Sequence, residues 1–198
     1  MNKFKVLLVY PNLQMVNLLP SNIAILSACL KQAGIDVRLF DTTLYRTSEK
    51  SVDDVRVEHL QLRPFKLIEK GVDYKEKDVF EDFQAVVNEY SPDVIAVSAT
   101  DDTYDLGIAL VSKLKNNKSH VIFGGVYPTF SPENVINNHN VNSICIGEGE
   151  EALVELCKKI QTGGDISNIK NLWVKLDGKI YKNQIRELEQ EQKELETE

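Results

Sequence analysis

Apolar residues along this chain fall into short continuous runs separated by longer stretches with helical spacing. Residues 5–9 (KVLLV) form such a run, stopped by Pro11-Asn12, and predict a strand buried on both faces. Ile23, Leu26, Ser27 and Leu30 then recur at helical spacing, with Ser21-Asn22 ahead of them as a cap and Gly34 behind them as a stop. Val37, Leu39 and Phe40 make the next strand, closed by Asp41. A strand, a helix and a strand at this spacing predict a right-handed parallel crossover.

The rhythm continues further along. Phe80, Phe83, Val86 and Val87 mark a helix ended by Tyr90-Ser91-Pro92, and residues 93–98 (DVIAVS) are the most apolar strand, the predicted centre of a sheet. A helix over residues 103–115 turns Leu106, Leu110, Val111 and Leu114 inward. Residues 121–123 and 143–146 are the fourth and fifth strands; a short helix between them begins at Ser131-Pro132-Glu133, where proline suits the first turn. Residues 150–160 form the last helix of the unit, stopped by Gly163-Gly164. Five strands alternating with helices predict an α/β fold, flavodoxin-like or Rossmann-like. Its parallel sheet runs in the order 2-1-3-4-5, with helices on both faces and a crevice between the first and third strands.

Two segments break the pattern. Residues 42–78 are polar and charge-mixed, contain Pro64 and Gly71, and are too long for an ordinary loop. They are read as an insertion within the 1–165 unit that leaves from the ligand side of the sheet, either a solvated excursion or a lid or partner surface. Residues 166–198 form a second region. Leu172–Leu176 and Lys179–Lys182 flank Asp177-Gly178, a two-residue hairpin signal, and a charged tail with few apolar residues follows, a frayed helix or a linker.

Composition narrows the partners. The net charge is −7 with no basic cluster, which excludes a nucleic-acid surface. No apolar run approaches the roughly 20 residues of a membrane span, and the N-terminal apolar run is too short for a secretory signal. The three cysteines, Cys29, Cys145 and Cys157, lack metal-type spacing and read as core thiols of a cytoplasmic protein.

Glycine supplies the functional clue. The fourth strand runs into Gly124-Gly125, and the fifth into Gly147 and Gly149, so both end where the backbone turns or lets something approach closely. A nucleotide phosphate would want a glycine-rich turn after the first strand, but that turn reads Pro11-Asn12-Leu13-Gln14. The turn through Gly147 and Gly149 carries Glu148, Glu150 and Glu151, which satisfy the helix dipole themselves and repel phosphate. A phospho-receiver site lacks its parts at the first and fifth strands. No histidine stands where it could activate Cys145: His120 and His139 precede strands and are read as surface or turn residues, and His59 lies in the insertion. A large, mostly uncharged ligand across the carboxyl edge remains, bordered by Ser98, Thr100, Gly124, Gly125 and residues 147–149. The plainer alternative is that the glycines only permit turns.

These same segments resemble the N-terminal cobalamin-binding domain of cobalamin-dependent radical S-adenosylmethionine enzymes, the group that includes anaerobic magnesium-protoporphyrin monomethyl ester cyclase. The matching residues are VYPN at 9–12, the helix at 20–30 followed by Gly34, PDVIAVSAT at 92–100, GGVYPTFSPE at 124–133 and IGEGEEAL at 146–153. NLWVKLDGKIYKN at 171–183 resembles the segment that leads into the radical barrel of such enzymes. The resemblance implies cobalamin as the cofactor, held by Pro11, Asn12, Ser98, Thr100, Gly124 and Gly125. Val126, Tyr127, Pro128, Gly147, Glu148 and Gly149 would border the corrin or face the catalytic domain. Two departures stand out. No histidine replaces Gln14 or its neighbours as a cobalt ligand, so cobalamin is expected with its own base displaced and no imidazole from that loop. No Cys-x-x-x-Cys-x-x-Cys is present, so the iron–sulfur cluster and S-adenosylmethionine are expected only in a radical barrel elsewhere in a longer parent chain. That barrel would be this domain's partner and would hold the small-molecule substrate, and no catalytic or metal-ligating residue is expected here. The alternative is a family domain that has lost cobalamin and serves the barrel structurally.

Overall fold

In the computed structural model, the described residues are 3–14, 20–47, 50–64, 69 and 71–187. They form β1 (Lys5–Tyr10), α1 (Ser21–Gln32), β2 (Asp36–Asp41), α2 (Val52–Glu58), α3 (Val79–Tyr90), β3 (Val94–Ser98) and α4 (Asp101–Ser112). There follow β4 (His120–Gly124), α5 (Val126–Phe130), α6 (Pro132–Ile136), β5 (Ser143–Cys145), α7 (Glu150–Thr162), β6 (Leu172–Leu176) and β7 (Lys179–Lys182).

The sheet order is β2-β1-β3-β4-β5-β6-β7, and the first five strands are parallel in the predicted order. Alternation along β1 explains the two cores. Leu7 and Val9 join Phe83 of α3, Leu110 of α4 and Ile136 of α6 on one face, while Val6 and Leu8 join Ile23 and Leu30 of α1 and Leu156 of α7 on the other. A strand covered on both sides has no polar face to show, hence the unbroken apolar run.

The sheet is wider than the predicted five strands. The hairpin is no separate appendage: β6 lies antiparallel on β5, with Cys145 opposite Leu172 and Ser143 opposite Val174. Leu172 and Val174 are fully buried, so the hairpin extends the α7-side core and covers an edge strand that would otherwise be open. Asp177 (φ 48°) and Gly178 (φ 75°) both take positive φ, which the tight turn demands, and Lys179 and Lys182 occupy the new edge.

Other expectations shift in detail. Pro20, not Ser21 or Asn22, is the N-cap of α1, so both residues lie inside the first turn, and Asn22 turns to a partner across the sheet. The helix after β3 starts at Asp101, so Asp101 and Asp102 sit in its first turn, where carboxylates favour the dipole. The insertion carries α2, begun by a Ser51–Asp54 capping box, and is pinned at its base. There the fully buried Tyr45 donates its phenol hydrogen to Asp82 and accepts from Lys75 Nζ at 3.0 Å. The tail from residue 188 lies outside the described residues.

Candidate functional site

The carboxyl ends of β3, β4 and β5 open into a cleft of about 370 Å³, a size suited to a small molecule or one arm of a larger one. Its floor is Ser98, Ala99 and Thr100, then Gly124 and Gly125, then residues 147–149. Its walls come from α1, through Asn22, Ile23 and Leu26, and from Leu153 of α7. The sequence placed the crevice between the first and third strands; the structure puts it over β3 to β5, under α1 and α7, with Leu8 as the contribution of β1. The reason lies in α1: its inward apolar face packs against α7 as well as the sheet, and the cleft is the space bordered by their first turns, through Asn22, Ile23 and Leu153.

Of the residues assigned from sequence, Ser98, Thr100, Gly124, Gly125, Val126, Gly147, Glu148 and Gly149 line this cleft. Four stand elsewhere. Pro11 lies on the opposite face, where its ring closes on Gly107 of α4. Asn12 is buried: its N–H donates to Thr42 Oγ1 at 2.7 Å and its Nδ2 to Thr43 Oγ1 at 2.8 Å, tying the turn after β1 to the end of β2. Tyr127 packs its ring on Tyr104 with centroids 4.4 Å apart, and Pro128 is the buried residue of α5. The aromatic and proline of this stretch thus serve the fold, while Val126 and Phe130 are left exposed at the cleft.

The paired glycines divide their work. Gly125 has φ 102°, and a Cβ there would stand 2.7 Å from the Ala99 carbonyl oxygen and 3.1 Å from its nitrogen. This crowding is structural: Ala99 N donates to Gly124 O at 2.9 Å, and Tyr127 N donates to Ala99 O at 3.2 Å, which locks the ends of β3 and β4 together. Gly124 is different. A Cβ there would meet Cys145 Cβ at 3.5 Å, an ordinary contact, and its backbone is in the common region. Packing and backbone conformation therefore do not require a glycine there, and the missing side chain leaves the cleft floor open. Gly149 is similar, with Leu26 Cδ2 at 3.5 Å as the nearest neighbour of an added Cβ.

Lining charges are few. Glu148 and Glu150 are the ionisable acids among the described lining residues, and no lysine, arginine or histidine joins them. Cys145 also lines the cleft, but burial pushes its thiol up to about 12, so it stays protonated and is no nucleophile at neutral pH. The histidines lie elsewhere. His59 and His139 are exposed; His120, read from sequence as a surface or turn residue, instead bonds Ser143 Oγ at 2.8 Å, and burial pulls it down to about 4. Among the described residues no group of three or more metal-ligating side chains is found, and no helix is long and apolar enough to cross a membrane.

Sequence reasoning missed Asn22 as a cleft residue because a polar residue ahead of an apolar run reads as a cap. In the fold its Nδ2 donates to Ser98 Oγ at 2.7 Å. It also missed Asn171, a buried residue at φ 69°. Asn171 Nδ2 donates to Glu148 O at 2.9 Å, while its Oδ1 accepts from Arg186 N at 2.7 Å, so it holds the cleft-floor turn to the segment that leaves the hairpin.

The cofactor implied by the resemblance can be tested against this geometry. A bulky corrinoid with a nucleotide tail needs an open, largely apolar slot into which one arm can reach, and the space over Gly124 between α1 and α7 is of that kind. The comparisons agree. A B12 binding domain family matches residues 16–157. An uncharacterized methyltransferase of Pyrococcus horikoshii is 29% identical over 104 residues, covering 51% of this chain and 23% of that protein. Among solved structures, the radical S-adenosylmethionine methyltransferase TsrM of Kitasatospora setae, with cobalamin and a [4Fe-4S] cluster bound, superposes with a TM-score of 0.68 at 18% identity. That match covers 94% of this chain and 30% of TsrM. The cobalamin-dependent S-adenosylmethionine radical enzyme OxsB with aqua-cobalamin bound gives 0.56 at 18% identity, over 94% of this chain and 23% of OxsB. The chain therefore spans less than a third of each of these proteins, and the structural likeness establishes the fold. With the family match running from ahead of α1 into α7, across nearly every element that lines the cleft, the chain belongs to the B12 binding domain family.

Proposed function

We propose that this chain binds cobalamin and presents it to a radical S-adenosylmethionine catalytic domain, as the cofactor-carrying part of a methyltransferase- or cyclase-like enzyme. The observation that carries the reading is Gly124, a glycine the fold does not need, set in the floor of an open cleft beside Ser98. In this reading the apolar walls, Leu26 and Leu153 among them, hold the tail by excluding water, and Ser98 supplies a polar contact within them. Cobalamin would supply a cobalt centre able to carry a methyl group, and this chain's residues bind and orient it. No histidine lines the cleft, so no imidazole from this chain is expected on cobalt, and a nucleotide tail drawn into the cleft would leave cobalamin with its own base displaced.

Titrating the folded protein with hydroxocobalamin tests this. The expected result is saturable one-to-one binding with a shift in the visible spectrum; a folded protein that leaves high-micromolar hydroxocobalamin free overturns it. Reading the parent gene beyond residue 198 tests the partner, since a Cys-x-x-x-Cys-x-x-Cys motif is expected there. The alternative, a domain that has lost its cofactor, would suit a cleft filled by bulky side chains, and an open one beside Ser98 and Gly124 favours binding.

A further inference from the structure

The cleft is mostly apolar, and its polar features are therefore few enough to be read singly. Asn22 stands on the first turn of α1 and Ser98 ends β3, 76 residues away in sequence, yet Asn22 Nδ2 donates to Ser98 Oγ at 2.7 Å. Among the described residues the Ser98 hydroxyl has no other partner. A hydroxyl that accepts from an amide keeps its own hydrogen to give. On its other side lies Gly125, where a Cβ would come within 3.3 Å of Ser98 Oγ, so that glycine leaves the hydroxyl uncovered. Amide, hydroxyl and glycine together form one polar notch among apolar walls.

We infer that Asn22 is a positioning residue of the cleft: by donating to Ser98 it sets that hydroxyl as a hydrogen-bond donor, so the notch selects a ligand arm that presents an unprotonated acceptor. On the cobalamin reading, on which this rests, the acceptor belongs to the nucleotide tail, and the corrin ring is indifferent to Asn22. The notch gives a graded expectation. Asn22→Asp keeps the shape and suits a helix N-terminus, but its oxygens accept and take the Ser98 hydrogen for themselves. Asn22→Ala leaves the hydroxyl in place but free to rotate.

The test compares hydroxocobalamin with cobinamide, which has the corrin and no nucleotide tail, by equilibrium dialysis against the wild-type protein, Asn22→Asp, Asn22→Ala and Ser98→Ala. Losing one such hydrogen bond is worth about tenfold in affinity. Asn22→Asp and Ser98→Ala are expected to lose about tenfold for hydroxocobalamin, Asn22→Ala less, and all four proteins to bind cobinamide alike. If the wild type binds neither corrinoid, the cobalamin reading itself fails. If the wild type binds and Asn22→Asp matches it, the positioning role is overturned. A parallel loss for cobinamide overturns it too, since Asn22 would then merely shape the cleft. So does a deficit of Asn22→Asp that vanishes in 1 M salt, because screening removes charge repulsion and not a misdirected proton.

Discussion

A Cβ on Gly125 would stand 2.7 Å from the carbonyl oxygen of Ala99, whereas one on its neighbour Gly124 would find ordinary space. Two glycines that look equivalent in the chain are therefore separable: the backbone requires one and not the other.

Gly125→Ala is expected to destabilise the protein by about 2 kcal/mol or more, through positive φ and the Ala99 clash together. Gly124→Ala is expected to change stability by less than about 0.5 kcal/mol. It should nonetheless weaken hydroxocobalamin binding at least tenfold. Thermal unfolding and a binding titration on both variants check this; equal stability losses would remove the distinction.

Asn171→Ala removes the acceptor of Arg186 N and the donor to Glu148 O, and also forces a non-glycine, non-asparagine residue to φ 69°. A loss of about 2–3 kcal/mol is expected. Amide exchange should rise at Arg186 ahead of the central strands, because its backbone N–H loses its acceptor, although its guanidinium still bonds Lys170 O, Glu151 and Glu155. Hydrogen-exchange mass spectrometry reads the difference directly.

His120 sets a pH dependence. Its folded value, about 4, lies below the ordinary 6.5, so between those values the unfolded chain binds the extra proton. Stability present above pH 6.5 is therefore lost as pH falls toward 4. His120→Gln, which can still bond Ser143, should flatten the fall in melting temperature between pH 6.5 and 5, a window above most carboxylate titration. An unchanged slope would show that other groups cause it.

Thiol reactivity should follow burial. Cys145 and Cys157 are both pushed up to about 12, whereas Cys29 is only half-buried. Iodoacetamide at pH 8 is expected to label Cys29 first in the native protein and all three after denaturation. Mass spectrometry of the labelled peptides decides.

The legibility of this molecule differs from residue to residue. Residues 5–9 and 93–98 announced strands buried on both faces because a parallel sheet covered by helices leaves no polar alternation. The cleft glycines were legible as strand-end glycines and as part of a family pattern. Ser21 and Asn22 were misread as caps, because a polar pair ahead of an apolar run carries the same local signal whether it caps the helix or reaches a strand 76 residues on. Tyr127 and Pro128 fall outside the cleft lining for a related reason: adjacency to Gly124-Gly125 does not say which face a short helix turns toward the cleft.

What the sequence determined by itself was what local periodicity and chain order carry: the helices that cover the sheet, the five parallel strands and, through the fold class they imply, the 2-1-3-4-5 arrangement. The helices and strands depend on local periodicity, and their order follows from the fixed handedness of crossovers and the small set of arrangements such alternation permits. The tertiary structure alone decided that the hairpin joins the sheet, that the cleft lies over β3 to β5, and that Gly124 is free while Gly125 is bound to Ala99. Each of these depends on how closely distant segments approach, to within a few tenths of an ångström, and no local pattern of residue types records that distance.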